Sequence, residues 1–142
     1  MNISANGIQF IKDRELFTAI PKLDCGHWMW GYGHDQKPGE TIPESITEQD
    51  ASALLLSDLE SWVVPAVQGV VPADCTQNQF DALCSFCYNA GAPALRTMVG
   101  HGWDQIPVQI VRWVYGKING VEEKLGGLVT RRDLELQLFQ SK

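Results

Sequence analysis

Apolar positions along the chain change period several times, and each change marks an element. Ile8 and Ile11, with Glu15 next in the i+4 series, predict a short helix over residues 8–15 whose last residue leaves from the inward-leaning side. Leu16 to Ile20 is apolar with β-branched members and stops at Pro21, and Trp28 to Tyr32 is aromatic. With Asp24-Cys25-Gly26 between them, these runs predict a β-hairpin or small meander closed by a loop of several residues. Pro38 to Pro43 reads as a loop. Thr47, with Asp50 three residues on, caps a helix carrying Ala51, Leu54, Leu55, Trp62 and Val63 on one stripe, up to a kink or end at Pro65. Such a helix, about 16 to 20 residues and 25 to 30 Å long, can connect two lobes. Thr76 with Gln79 opens the next helix, which Gly91 stops; shorter helices follow at Pro93–Val99 and Pro107–Tyr115. Thr130, with Asp133 three residues on, is expected to open the last helix, with Leu134 and Leu138 on one face. Residues 115–128 hold four glycines and read as a mobile loop. The pattern is α+β, with the strands segregated in the first third.

Composition narrows this without redirecting it. A chain of 142 residues with 44% hydrophobic content builds one packed domain without metals or disulfides. The net charge of −6, with no block of five like charges, gives neither a nucleic-acid stripe nor a polybasic membrane patch. The apolar stretch from Ser61 to Val71 is cut by Pro65 and Gly69 and falls short of the roughly 20 residues a bilayer span needs. Residues 1–7 lack a basic and an apolar region, so synthesis in the cytoplasm with no export signal or membrane anchor is expected. Cys84 and Cys87 form a CxxC, but positions 80, 83, 84 and 87 share one helix face with Phe80 and Leu83, which predicts core packing. A zinc site would need two further ligands, and no second CxxC or HxxxH supplies them; no metal or cofactor is expected.

The candidate chemistry lies in Glu15 and Asp24, nine residues apart, which bracket an aromatic, glycine-rich run ending in Gly31-Tyr32-Gly33-His34. Cleaving a glycosidic bond takes one carboxyl group that gives its proton to the leaving oxygen and a second across the sugar ring. Acidic pairs at this spacing are also common on solvated surfaces. The ordered context adds more: Thr47-Glu48-Gln49-Asp50-Ala51 leading to Leu55-Leu56-Ser57-Asp58-Leu59, then Gln77 to Leu83, Tyr88-Asn89-Ala90-Gly91, Arg112-Trp113 and Gly127-Leu128-Val129-Thr130-Arg131-Arg132. From about residue 8 to 139, this series resembles the phage-type lysozymes, glycoside hydrolase family 24.

The resemblance implies a two-lobed fold: a sheet lobe over about 12–46, a linking helix over about 47–67, and a helical lobe over about 68–142 joined by the N-terminal helix. It implies cleavage of the β-1,4 bond between N-acetylmuramic acid and N-acetylglucosamine in peptidoglycan. The protein would be a monomeric endolysin, held in the host cytoplasm and released through a separately made pore. Glu15 would be the general acid, a role that partial burial beside an apolar hairpin favours by penalising the charged form. Asp24 would be the second carboxylate, and Asn89 would face the cleft. Arg131 would pair with the acid, and His34 with Asp58 would tie the hairpin to the long helix. Trp28 and Trp30 alternate with Met29 and share a face, where they either stack on sugars or cover the sheet's core. Trp30, Tyr32 and Asn89 are the candidate substrate-binding residues.

Three departures from the family's pattern matter. Glu15 and Asp24 each fall one residue late relative to Gly31, which a one-residue deletion in the hairpin explains. The threonine that holds the nucleophilic water is replaced by Met29 or Trp30, neither of which can do so. Leu16 stands where the family has glycine. A lytic transglycosylase outcome with a 1,6-anhydro product therefore stays open, as does a catalytically impaired homologue that binds glycan or protein. His27 as a substitute water holder and Cys25 as a substitute for Asp24 stay open too. The acidic balance opposes attraction to an anionic cell wall unless the cleft is locally positive.

Overall fold

Ser4 starts the first helix with an N-cap that also anchors it. Its Oγ accepts from the Gly7 N–H at 3.0 Å, while its own N–H and Oγ donate to the buried carboxylate of Asp81. Helix α1 therefore begins at Ala5 and runs to Glu15. The computed structural model describes residues 1–142. Strands β1 (Thr18–Asp24), β2 (His27–Gly31) and β3 (His34–Asp35) follow as an antiparallel sheet in the order β1-β2-β3.

The first hairpin is tighter at its tip than expected. Asp24 pairs directly with His27 across a two-residue turn, Cys25-Gly26, both at positive φ. The register slips between Thr18, opposite Gly31, and Lys22, opposite Met29. Pro21, which has no N–H for a ladder, falls inside this bulge.

Helix α2 (Glu48–Asp58) widens into a π-turn over Leu59–Val63 and continues as α3 (Val64–Gln68). The Val64 N–H reaches back five residues to the Leu59 carbonyl, and the helix passes through Pro65 instead of ending there. Helix α4 (Gln77–Ala90) opens with the Thr76–Gln79 capping box and is buried along Phe80–Cys87. It forms the centre of the helical lobe, against α1, α5 (Ala92–Val99) and the last helix. Cys84 and Cys87 lie wholly inside this core beside Phe80 and Leu83. The segment expected as a helix up to Tyr115 is α6 (Ile106–Gln109) and a single 3₁₀ turn over Ile110–Arg112.

Two expectations fail near the C-terminus. The glycine-rich segment forms a second hairpin, β4 (Tyr115–Ile118) with β5 (Val121–Lys124), so the strands are not confined to the first third. Its turn is Asn119-Gly120, both at positive φ; Asn-Gly between alternating residues is a strong hairpin signal that the glycine count obscured. The last helix, α7 (Gly126–Gln140), starts four residues before Thr130. Thr130 is thus an interior residue whose hydroxyl donates back to the Gly126 carbonyl at 3.2 Å.

Candidate active site

Glu15 is the last residue of α1, and it lines a groove. A cavity of about 490 Å³ opens there, lined by Arg14, Glu15, Asn89, Leu128, Thr130 and Arg131 among others. Arg131 donates from Nη1 to Oε2 of Glu15 at 2.5 Å, with the glutamate side chain 16% exposed. The residue following the hairpin crowds the same carboxylate: Gly33, at φ +77°, lies so close that a Cβ there would collide with Oε1. Glu15 is thereby fixed from two sides, by a guanidinium on α7 and by backbone of the sheet lobe.

The two lobes meet at this point. The Tyr88 hydroxyl on α4 donates to the Tyr32 carbonyl at 2.6 Å, joining the helical lobe to the glycine-rich segment after β2. Burial raises the Tyr88 pKa, and the surrounding carboxylates of Glu15, Asp58 and Asp35 add to it, so the phenol stays a donor. Tyr88 stacks on Trp62, ring centroids 6.1 Å apart, and both line a second cavity of about 260 Å³ with His34 and Lys37.

His34 is buried between two carboxylates, Nδ1 to Asp58 Oδ2 at 2.6 Å and Nε2 to Glu40 Oε1 at 2.8 Å. Burial opposes its charge, but the two hydrogen bonds outweigh that and raise its pKa. Lys37 Nζ approaches the other Asp58 oxygen at 3.2 Å. This cluster ties the β3 end of the sheet lobe to α2.

Asn89 is exposed, lines the Glu15 cavity, and accepts from Arg132 Nη2 through Oδ1. A guanidinium only donates, so the Asn89 oxygen must face Arg132 and its NH₂ is left to donate into the groove. Arg132 also donates from Nε to the Trp113 carbonyl at 2.8 Å and from Nη1 to Glu135 at 2.5 Å. Burial lowers its pKa against the opposing pull of Glu135.

Asp24 closes strand β1 beside the turn. It is exposed at the hairpin tip, makes no side-chain ion pair, and does not line the cavity at Glu15. From Gly31 to its partner His27 is about 13 Å of strand, so the tip projects away from the Gly33 end. Glu15 is the sole carboxylate lining its cavity. His27 pairs with Asp35 at 3.1 Å.

Two aromatic expectations are corrected. Trp30 is 2% exposed and packs on His34, ring centroids 5.1 Å apart, so it offers no face to a sugar. Tyr32 is 9% exposed and packs against Phe17 within the core cluster. β2 enters the molecule at Trp30, whereas Trp28 near the tip is 36% exposed. Sequence reasoning also passed over Gly33, Ser85, Glu40, Arg132 and Glu135. Glu135 was accessible from its i+3 and i+4 spacing to Arg132 and Arg131, an acid and two bases on one helix face.

A hairpin lobe and a helical lobe joined by a long helix, with a guanidinium-held glutamate in the groove between them, define a protein of the lysozyme-fold class. Residues 13–135 match the phage lysozyme family. The endolysin of Acyrthosiphon pisum secondary endosymbiont phage 1 is 33% identical over 149 residues, covering 99% of each chain. The endolysin of Bacillus phage B103 is 33% identical over 153 residues, and there the match covers 98% of this chain and 54% of that protein. Among solved structures, the muramidase domain of SpmX from Asticaccaulis excentricus has a TM-score of 0.83 at 34% identity, covering 99% of both chains. The endolysin from Escherichia coli O157:H7 phage FAHEc1 has a TM-score of 0.87 at 28% identity, covering 99% of this chain and 94% of that one. The chain belongs to the phage lysozyme family.

Proposed function

We propose that this protein is a peptidoglycan-cleaving endolysin that breaks the β-1,4 bond between N-acetylmuramic acid and N-acetylglucosamine to lyse a bacterial host. The observation that carries this reading is Glu15 at the end of α1, held by Arg131 at 2.5 Å in a groove that also presents Asn89. Protonated Glu15 donates to the glycosidic oxygen as the bond breaks, and the Asn89 NH₂ donates to an acetyl or hydroxyl oxygen of the bound strand. Arg14 and Arg131 against Glu15 make the cavity locally positive within a chain of net charge −6, which suits an anionic wall polymer. The matched relatives named endolysin and muramidase support the same reading.

Turbidity loss of outer-membrane-permeabilised Gram-negative cells tests it. Wild type should clear the suspension and Glu15→Gln should slow clearing by at least about a hundredfold, the low end for loss of a general acid. Clearing by both at equal rates would remove Glu15 from the chemistry, and no clearing by wild type would leave a glycan- or protein-binding homologue.

Asp24 serves as the second carboxylate in the hydrolytic reading, whereas attack by the muramyl 6-hydroxyl, giving a 1,6-anhydro end, needs no partner acid. Mass spectrometry of the released muropeptides separates the two outcomes, since the anhydro product lacks one water.

A further inference from the structure

Behind the groove, Glu135 is fully buried on α7 and receives three donors. Its Oε2 accepts from Ser85 Oγ at 2.6 Å and Arg131 Nε at 3.2 Å, and its Oε1 accepts from Arg132 Nη1 at 2.5 Å. The two guanidiniums reach the groove in different directions, Arg131 to the Glu15 carboxylate and Arg132 to the Asn89 amide oxygen. Arg131 Nη2 is held as well, on the Ser85 carbonyl at 3.2 Å and Oγ at 3.3 Å, and Arg132 lies over the Phe86 ring at 4.8 Å.

We propose that Glu135 is the positioning residue of the cleft, the buried anchor that sets the Glu15 carboxyl and the Asn89 amide in one fixed relation through its two arginines. This rests on the reading of Glu15 as the general acid. Two adjacent guanidiniums repel each other. Arg131 has Glu15 as a second carboxylate partner, but Arg132 has none besides the anion set between the two, which offsets their repulsion in the low-dielectric space behind the groove. Glu135 supplies that anion, and the Ser85 hydroxyl donates a third hydrogen bond to it. Packing alone does not ask for such a cluster, because apolar side chains fill a buried volume without the desolvation cost of charges. What apolar side chains cannot do is present one hydrogen-bonded arm to the acid and another to the amide.

Glutamine at 135 keeps the shape but has only one acceptor atom, so its NH₂ must oppose a guanidinium and one arginine is released. Kinetics on soluble peptidoglycan glycan strands, measured well below each variant's unfolding temperature, therefore test the proposal. Glu135→Gln should lower kcat by about tenfold to a hundredfold, the cost of ångström-scale misplacement. Glu135→Asp, which keeps the charge, should recover part of that loss. Arg132→Lys, which frees Asn89, should act mainly by raising KM. Asp81→Asn is the control: it disturbs a buried carboxylate remote from the groove and should lower the unfolding temperature while leaving kcat unchanged. If Glu135→Gln does not fold, Ser85→Ala removes one donor from the same cluster and should still lower kcat several-fold. A folded Glu135→Gln, or failing that Ser85→Ala, with wild-type kcat and KM overturns the proposal. Full activity in Glu15→Gln instead overturns the reading beneath it, so the two failures are distinguishable.

Discussion

The carboxylate of Glu15 occupies the space that a side chain at residue 33 would need. Gly33 belongs to the segment after β2 and Glu15 to the end of α1, so this contact joins sheet lobe to helix at the acid itself. Gly33→Ala would push Glu15 off Arg131 and force an L-residue to φ +77°. The expected result is a fall in lysis rate of at least about tenfold, together with about 1 to 3 kcal/mol of lost stability from the backbone strain. A denaturation midpoint and a clearing assay read the two separately, and an alanine variant with wild-type clearing would mean the acid does not depend on this contact.

Immediately after Glu15, Leu16 caps α1 at φ +61° and ψ +157°, a region that glycine enters without strain and other residues do not. Its side chain is 67% exposed, so it gains little burial in exchange. Leu16→Gly should therefore stabilise the protein, by about 1 kcal/mol once glycine's greater unfolded entropy is subtracted from the relieved strain. Chemical denaturation decides the sign. A destabilised glycine variant would show that the leucine makes contacts outweighing its conformation.

The helices along 47–91 and the place of Glu15 at the end of α1 were legible because local rules decide them: Thr47 and Thr76 cap, and apolar stripes set the buried faces of α2 and α4. Arg131 and Asn89 were reachable only through the resemblance, since nothing in their spacing relates them to residue 15. The misplaced features are those that tertiary context decides. Trp28 and Trp30 have the same strand parity, yet β2 dips into the core between them, so one ring is half-exposed and the other buried against His34. Asp24 carries the spacing of a second carboxylate, and its exposed place at the tip of a two-residue turn is a feature that a count of residues does not reveal. The Glu15–Arg131–Glu135–Arg132–Asn89 network joins three helices, and only its α7 portion leaves a trace in the local pattern.

Stability should peak in a window set by His34 and Glu40. The His34 pKa is raised, so its ion pairs contribute fully below the ordinary imidazole value, about 6.5, and are lost as pH rises through its folded value. The Glu40 pKa is lowered: burial opposes the charge, but the Lys37 N–H and His34 outweigh it. Its contribution is present above the ordinary glutamate value, about 4.3, and is lost as pH falls through its folded value. Thermal unfolding from pH 3 to 9 should thus show greatest stability between these two ordinary values. His34→Asn should flatten the alkaline limb while lowering the whole curve, because Asp58 is left buried without its imidazole. An unchanged alkaline limb in that variant would assign the loss to another group.

The four thiols should separate by reactivity into one and three. Cys25 is exposed in the hairpin turn, while Cys75, Cys84 and Cys87 are buried. Burial pushes the Cys87 thiol up to about 12 and raises Cys84 as well, with the charge of Asp81 adding to the latter. Neither supplies thiolate near neutral pH, the form that reacts. Cys25 is raised too, by its hydrogen bond to Asp24 and by that residue's negative charge, so even the accessible thiol is slow. An aromatic disulfide reagent should modify one thiol per native chain and all four in guanidinium. Asp24→Asn removes the charge that holds the Cys25 proton, so it should speed the native phase without changing its amplitude. A native amplitude above one would show that the core opens around Cys75 or α4 on the labelling timescale, and an unaltered rate in Asp24→Asn would separate the Asp24 carboxylate from the Cys25 thiol at the hairpin tip.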